Sequence, residues 1–191
     1  MTKRPKVAGI LLAAGRSTRF GSEDKLLAPF RGAPLVTHAA KALARASSER
    51  PIAVCASRDV TRLLPEFKCI EVDGSSRLMS DSLAAGIAAA RLSSAQSALI
   101  VLGDMPLITT ELLNEVLDLA TDQMGAAATT GLHPTPPACI PLHLFGTSSE
   151  APSDSGARAI LANLPPSQLV EPDPCLLRDI DTQDDLADLD F

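Results

Sequence analysis

Residues 7–26 read VAGILLAAGRSTRFGSEDKL, an apolar run followed by a polar loop with small and basic residues. The first part, VAGILLA (7–13), is the compact apolar stretch expected of a strand that is buried on both faces of a sheet. The loop then carries Arg16, Arg19 and Lys25, together with Gly15 and Gly21. Such a loop is either a tight turn between two elements or a cradle for an anionic group.

Outward from this stretch, strand and helix patterns alternate along the chain. Apolar stretches predict further strands at 52–57, 69–73, 98–104 and 126–131. Helical spacing of apolar residues predicts helices at 34–47, around 60–64, and at 80–92, 109–120 and 155–164, with a final short helix after Thr182. The alternation predicts an α/β fold: a three-layer, Rossmann-like, mostly parallel sheet with helices on both faces.

Several residues predict where these elements begin or break. Ser80 is expected to cap its helix, and Thr182 and Asp185 have the spacing of a capping box. Prolines crowd the stretch after residue 131, at positions 134, 136, 137 and 141. Because proline cannot donate to a strand ladder, pairing there is expected at a sheet edge or with a break.

The composition limits the classes of function. With 191 residues and 46% hydrophobic residues, the chain suits a single domain, 1–191, with a real core. Aromatic residues make up 3% and the net charge is −6, which argues against partners that are nucleic acid or a membrane surface. A basic loop in an acidic chain is therefore a local feature.

The cysteines and the first residues bear on location. Cys55, Cys69, Cys139 and Cys175 are scattered without metal-ligand spacing, so we expect reduced, mostly buried thiols and no zinc site. The apolar stretch after the basic start is short and leads at once into the polar loop, which favours a core strand over a signal peptide. We expect a cytoplasmic protein.

In an open parallel sheet, ligands bind beyond the carboxyl ends of the strands, where the strand order reverses. A 3-2-1-4 order of the first four strands would bring the loop after residue 13 beside Asp104, which follows ALIVL (98–102). Backbone amides, Arg16, Lys25 and one carboxylate around one crevice could hold a nucleoside triphosphate and its magnesium ion. The P-loop and dinucleotide glycine patterns are absent from this stretch, which argues against a phosphate-hydrolysing motor and an NAD enzyme.

The pattern that remains is LAAGxSxRxGxxxK with LGDMP downstream, and it resembles the nucleotidyltransferases of molybdenum-cofactor maturation. The resemblance is strongest to the molybdopterin cytidylyltransferases, and it extends over essentially the whole chain. It is carried by LLAAGRSTRFGSEDKLLAPFRGAPLVTHA, SDSLAAGI, VLGDMPLIT, SDSGARAIL and DIDTQDDL. The fold that it implies is the NTP transferase type.

The resemblance also implies roles for individual residues. Arg16, Lys25 and Asp104 would be catalytic, and Asp104 and Asp154 would contact Mg²⁺. The nucleotide would be bound by Leu12, Ala13, Ala14, Gly15, Arg16, Ser17, Arg19, Gly21, Lys25, Ser80, Ser82 and Leu83. The pterin side would be formed by Asp154, Gly156, Arg158, Asp179 and Asp181.

The sequence departs from the family pattern at three positions, and some residues have structural alternatives. Ser153 and Leu78 stand where glycine is usual, and Gln183 stands where proline is usual. Gly15 and Gly21 could be plain turn glycines. Asp154 and Asp181 could each serve only to begin a helix, and His38, His133 and His143 are isolated from any nucleophile.

The function that the resemblance implies is transfer of CMP from CTP to the phosphate of molybdopterin, with release of pyrophosphate. The alternatives are the same reaction with GTP, a non-catalytic accessory protein that carries the cofactor to a molybdenum hydroxylase, and an oxidoreductase. As a further partner we expect transient contact with an apo molybdenum hydroxylase. Two further expectations concern the charged residues. Without ligand, Asp104 should be partly solvated near Lys25 and not locked in a salt bridge. Lys25→Ala should cut turnover by about two orders of magnitude with little change in melting temperature.

Overall fold

The computed structural model describes residues 6–15, 17–21, 24–73, 79–146 and 154–189, without the side chains of 154–156. The strands are β1 (Val7–Ala13), β2 (Pro29–Phe30), β3 (Ala33–Pro34), β4 (Ile52–Cys55), β5 (Lys68–Glu71), β6 (Ser97–Leu102), β7 (Ala126–Thr129), β8 (Pro134–Pro141) and β9 (Leu169–Val170). The α-helices are α1 (Val36–Ala46), α2 (Arg58–Arg62), α3 (Met79–Arg91), α4 (Thr110–Leu119), α5 (Asp154–Ala162) and α6 (Gln183–Leu189).

A seven-stranded sheet with the order β5-β4-β1-β6-β8-β7-β9 forms the centre of the molecule. β1 pairs in parallel with β4 on one side and with β6 on the other, and β4 pairs in parallel with β5. These four strands have the predicted 3-2-1-4 order. The mostly parallel α/β fold is therefore confirmed, with β1 and β6 side by side at its centre.

The proline-rich strand β8 lies inside the sheet, so of the two predicted alternatives, an edge position or a break, the structure shows the break. β8 runs antiparallel between β6 and β7. Its pairing with β6 begins only at Ala138, after three of the prolines, and its pairing with β7 shifts register beside Ala127. The predicted break is thus present, and this irregularity lets an internal strand tolerate residues that cannot donate to the ladder.

Helices cover both faces of the sheet because successive residues of the buried strands point to opposite sides. Along β1, Leu11 and Ala13 pack into the core beneath α1 and α4, whereas Ile10 and Leu12 pack into the core beneath α3. Both cores consist mainly of aliphatic side chains, and each fully buried Leu or Ile contributes about 1.5–3 kcal/mol. The scarcity of aromatic residues is consistent with this packing.

Polar residues define two helix starts as predicted. Thr109 caps α4 by accepting a hydrogen bond from the Leu112 N–H at 3.2 Å. At α6, Thr182 Oγ1 accepts from the Asp185 N–H at 3.1 Å, and Asp185 Oδ2 accepts from the Thr182 N–H at 2.8 Å, which is a capping box.

Two other predicted helix starts were wrong. α3 begins at Met79, so Ser80 lies inside the helix and not at its cap. Pro34 belongs to the β2–β3 hairpin, and α1 begins only at Val36. Both errors are shifts of one or two residues, the usual uncertainty of helix ends.

The cysteines are unpaired, but they are less uniformly buried than predicted. Cys55 and Cys139 are buried, Cys69 is half-buried and Cys175 is exposed. Burial raises the pKa of Cys55 and of Cys139 to about 12, so these two thiols stay protonated and unreactive near neutral pH. Within the ranges that the structure describes, no helix is both long enough and apolar enough to cross a bilayer.

Candidate active site

Three segments of the chain meet at the carboxyl edge of β1 and β6. The Gly103 N–H donates to the Leu12 carbonyl at 2.9 Å, which joins the turn after β6 to the end of β1. The Ile180 N–H donates to the Asp104 carbonyl at 2.9 Å, and the Ile180 side chain is fully buried. The segment 179–181 is thereby held directly against the residue that follows β6.

The loop after β1 is organised by its own short polar side chains. Ser17 adopts a left-handed backbone conformation with φ 48°, and its carbonyl accepts from the Phe20 N–H at 2.9 Å. Its hydroxyl accepts from the Lys25 N–H at 3.1 Å and lies 3.3 Å from Asp24 Oδ1. Asp24 in turn accepts from the Leu26 N–H at 3.0 Å. These contacts fix the backbone from which the Lys25 side chain projects.

Lys25 is buried and forms ion pairs with two carboxylates. Its Nζ lies 2.8 Å from Asp104 Oδ2 and 2.9 Å from Asp181 Oδ1, and 6% of its side chain is exposed. Burial by itself lowers the pKa of Lys25, but the Asp104 and Asp181 carboxylates outweigh this effect, so the pKa lies above its ordinary value. The ammonium group therefore remains charged inside the site.

The expectation that Asp104 is not locked in a salt bridge was wrong. Its side chain is partly solvated as predicted, with 22% exposed, yet Oδ2 is paired with Lys25. An unpaired carboxylate at this depth would be costly, and a lysine in the adjacent loop offsets that cost. The pairing depends on a contact between residues 79 positions apart.

Asp181 links Lys25 to the outer part of the same loop. Its Oδ2 lies 2.7 Å from Arg19 Nη1, and 75% of the Arg19 side chain is exposed. The neighbouring acid Asp179 lies in the same negative surroundings: partial burial raises the pKa of its carboxyl, and the charges of Asp104 and Asp181 raise it further. The structure thus brings Asp181, predicted on the pterin side, together with the residues predicted to bind the triphosphate.

The two glycines of the loop differ in what the backbone demands of them. Gly21 has φ +115°, a conformation that side-chain-bearing residues rarely adopt, so the turn itself accounts for it. Gly15 is outside that region, and a Cβ placed on it would meet no described atom within 4 Å. Neither the turn nor packing against the described residues requires glycine at position 15. The space beside the backbone at Gly15 is therefore open on the side of the described residues.

The donor set is compatible with a divalent cation. Asp104 Oδ1 is buried and has no hydrogen-bond partner among the described residues. No group of three or more His, Cys, Asp and Glu side chains in the described ranges could hold a metal ion. A site with one or two carboxylates, completed by substrate phosphates and water, is the arrangement that Mg²⁺ commonly uses. The residues present therefore fit a metal ion that arrives with a nucleotide.

Several other predicted residues border an apolar cavity of about 250 Å³ on the other face of the sheet, beneath α3 and α5. Leu12, Leu83 and Arg158 all line this cavity, which brings together positions from three separate motifs. Ser80 and Ser82 are buried in the first turns of α3. Ala13 is buried at the end of β1, and Ala14 is half-buried beyond it.

Three predicted residues lie wholly or partly outside the description. Arg16 is outside the described residues, and so are the side-chain surroundings of Asp154 and Gly156, which lie in the first turn of α5. Their predicted roles stay predictions.

His38, judged unsuitable as a base, is a packing residue: its Nε2 lies 2.9 Å from the Phe30 carbonyl and its ring meets Phe30 edge-on.

Sequence reasoning missed Asp24 as an organiser of the loop and missed Asp181 as a partner of Lys25. For Asp24, a signal was available, since an Asp immediately before a helical turn commonly accepts a hydrogen bond from the backbone N–H two residues on. For Asp181, the sequence offered only an acidic residue in a family motif.

Comparisons with known proteins agree with this fold. A family model described as the MobA-like NTP transferase domain matches residues 9–169. A nucleotidyl transferase from Methanothermobacter shares the fold with a TM-score of 0.78 and 20% identity, over 97% of this chain and 96% of the other. A Mycobacterium tuberculosis protein solved as a complex with manganese gives a TM-score of 0.75 at 22% identity, over 97% and 98% of the two chains.

A third structure, 4-diphosphocytidyl-2C-methyl-D-erythritol synthase from Anaerococcus prevotii, gives a TM-score of 0.73 at 14% identity, over 98% of each chain. A search of curated proteins found no significant match. The family match places the chain in the nucleotidyltransferase class. The chain belongs to the MobA-like NTP transferase domain family, whose model covers most of its length.

Proposed function

We propose that residues 1–191 act as one domain that transfers CMP from CTP to the phosphate of molybdopterin, with Mg²⁺ and with release of pyrophosphate. The observation that carries the proposal is the position of Lys25. Its ammonium group lies between Asp104 and Asp181, next to the loop that follows β1. The chemistry of this site is that of anions and cations, with no histidine or cysteine nucleophile required.

The proposed reaction needs little proton transfer by side chains. An oxygen of the acceptor phosphate is already an anion, and it attacks the α-phosphorus of CTP while the bond from that phosphorus to the bridging oxygen breaks. The protein then contributes positioning and charge neutralisation. Backbone amides of residues 13–21 would hold the triphosphate, and the open space at Gly15 supports close approach of a phosphate there.

Lys25 has to change partners for this reaction. In the structure its charge is engaged by Asp104 and Asp181, whereas the triphosphate would need the same ammonium group. We propose that Lys25 turns from the carboxylates to the phosphates when the nucleotide binds. The two carboxylates then become free to hold the divalent cation, which supplies further neutralisation of the phosphate charge. Asp154, the other predicted metal contact, stays a prediction.

The acceptor would lie at the Arg158 end of the cavity beyond Leu12, since Leu12 and Leu83, which also line it, are expected to contact the nucleotide. The cavity of about 250 Å³ is mainly apolar, which suits the faces of a flat ring, and exposed Arg158 at its lining suits an anionic group. Cytidine is compatible with this fold, because the fold also occurs in the 4-diphosphocytidyl-2C-methyl-D-erythritol synthase. A cytoplasmic location and transient contact with an apo molybdenum hydroxylase are parts of the proposal.

Calorimetric titration with each nucleoside triphosphate, with and without Mg²⁺, tests the proposal. We expect CTP with Mg²⁺ to bind at least about tenfold more tightly than GTP, ATP or UTP, a difference of about 1.4 kcal/mol. Lys25→Met should remove most of this binding. Lys41→Met is the matched control, because Lys41 is an exposed lysine on α1 outside the charged site.

The outcomes separate the alternatives. A tenfold preference for GTP would assign the same reaction to a guanylyltransferase. No binding of any triphosphate would contradict an enzymatic role and favour the accessory protein. Equal loss of binding in both lysine variants would show that the carboxyl edge of β1 and β6 is not the triphosphate site.

A further inference from the structure

We propose that Asp185 is a positioning residue for Asp181: it orients the Asp181 carboxylate toward Lys25 without touching the reacting groups itself. This inference rests on the proposed function, since it assigns Asp181 to the site that binds the nucleotide and its metal. Nothing in the motif that contains Asp185 distinguishes it from a residue that only begins a helix. The contacts of its carboxylate make the distinction.

Asp181 is held from the side of the sheet by its neighbour. The Ile180 N–H donates to the Asp104 carbonyl at 2.9 Å, and the Ile180 side chain is fully buried in the core. These contacts fix the path of the chain immediately before Asp181. They leave the rotation of the next peptide unit to be determined by another contact.

Asp185 supplies that contact from the helix side. Its Oδ2 accepts from the Asp181 N–H at 3.1 Å and from the Thr182 N–H at 2.8 Å. It also lies 2.8 Å from Thr182 Oγ1. A capping box needs only the bond to the Thr182 N–H, so the bond to the Asp181 N–H is additional. These hydrogen bonds lower the pKa of Asp185, which keeps the carboxylate charged at neutral pH.

The bond to the Asp181 N–H matters because Asp181 serves two cations. One oxygen pairs with buried Lys25 and the other with exposed Arg19, so a rotation of the Asp181 backbone would break both pairs together. Residues that orient a metal-binding or charge-paired carboxylate change its affinity even when they make no contact with the ligand.

Three variants separate positioning from helix capping and from surface charge. Asp185→Ala removes all contacts of the carboxylate. Thr182→Ala removes the hydroxyl that caps α6, and with it one contact of the Asp185 carboxylate, but leaves both backbone N–H groups facing Asp185. Asp188→Ala removes a carboxylate of the same helix that pairs with Arg178 at 3.1 Å, as Asp185 also does at 3.8 Å.

Two measurements are made on each variant. The first, without nucleotide, is the rate at which a small acylating reagent modifies the Lys25 amine, followed by mass spectrometry. The second is the affinity for Mn²⁺ in the presence of CTP, followed by electron paramagnetic resonance. We expect Asp185→Ala to speed the labelling and to weaken Mn²⁺ binding by about tenfold, with both controls within about twofold of the parent.

Equal effects of Asp185→Ala and Thr182→Ala in both measurements would overturn the proposal, because they would reduce Asp185 to a helix cap. Asp185→Leu, which keeps about the size of the side chain but accepts no hydrogen bond, replaces the alanine variant if that one does not fold, and it is judged by the same comparison. The labelling needs no nucleotide, so it tests the positioning even if the protein binds no triphosphate. Failure of Mn²⁺ and CTP to bind the parent protein would instead contradict the proposed function.

Discussion

The same loop provides two cations to the site, and they lie in different surroundings. We call Lys25 and Asp104 the floor of the site and Arg19 and Asp181 its rim. Lys25 has 6% of its side chain exposed and two carboxylate partners, whereas Arg19 has 75% exposed and one partner. The Arg19–Asp181 and Lys25–Asp104 distances are both below 3 Å, so distance alone does not distinguish the two cations.

The difference between floor and rim lies in solvent. Water and salt screen the Arg19 pair, and exposed pairs of this type contribute about 0–1 kcal/mol. The floor is shielded, and breaking one partner there leaves a charge without compensation in a poorly solvated place. Lys25 and Arg19 carry the same charge and lie in the same loop, yet substitutions at the two positions are therefore expected to differ widely in their effect on stability and turnover.

The largest effect is expected from Lys25→Met. Turnover should fall by about a hundredfold or more, because charge neutralisation at the phosphates is lost. Stability should also fall, by about 2 kcal/mol, because Asp104 loses its buried partner, and this revises the expectation from the sequence of an unchanged melting temperature. Steady-state kinetics and thermal denaturation measure both. A variant that is stable and fully active would place Lys25 outside the machinery.

A pair of double-mutant cycles sharpens the comparison directly. The coupling between Lys25→Met and Asp104→Asn in chemical denaturation should be about 2 kcal/mol, against no more than about 0.5 kcal/mol between Arg19→Ala and Asp181→Asn. Equal coupling energies would show that burial does not distinguish the floor from the rim.

The binding of Mn²⁺ without nucleotide should respond in the opposite direction to turnover. Lys25 neutralises Asp104 and Asp181 in the structure, so Lys25→Met should tighten Mn²⁺ binding by about tenfold, or about 1.4 kcal/mol. Paramagnetic resonance measures the free ion, with Lys41→Met as the control. Unchanged affinity in Lys25→Met would argue that these carboxylates are not the metal ligands.

The smallest effect is expected at the rim. Arg19→Ala should raise the KM for the nucleotide by about threefold with kcat unchanged, because the exposed guanidinium contributes screened attraction only. The difference between the variant and the parent should shrink as the salt concentration rises. A large fall in kcat would instead mean that Arg19 contacts the reacting phosphates.

Most of the fold was predictable because it follows from local patterns. VAGILLA and ALIVL are apolar runs whose burial requires a central sheet, and β1 has the predicted bounds. Thr109 and the Thr182–Asp185 capping box form hydrogen bonds only to residues within one helical turn, so these helix starts can be predicted from the local sequence alone. For β8, the sequence left an edge position and a break as alternatives, because the tolerance of proline depends on which neighbour each residue pairs with.

Less of the candidate site was predictable, because its pairs join distant segments. The sequence brought Lys25 and Asp104 to one crevice through the strand order, but not into a salt bridge. It assigned Asp181 to a different part of the site, since no local pattern indicates which cation a carboxylate in a loop will meet. The left-handed turn at Ser17, which directs Lys25 inward, is likewise a tertiary outcome.

The Lys25–Asp181 contact spans 156 residues of chain. During synthesis, a growing polypeptide could form the β1–β4 pairing and much of the core beneath α1 and α4 before Asp181 has been made. Such an intermediate would carry the lysine of the floor with only one of its two carboxylates. Contacts between residues this far apart in the sequence form late in folding. The chain loses entropy when the long loop closes, and this loss comes before the contact can offset it. Competence for metal and nucleotide would thus arise as a final step of maturation, and a fragment that stops short of residue 181 could be well folded and still inert.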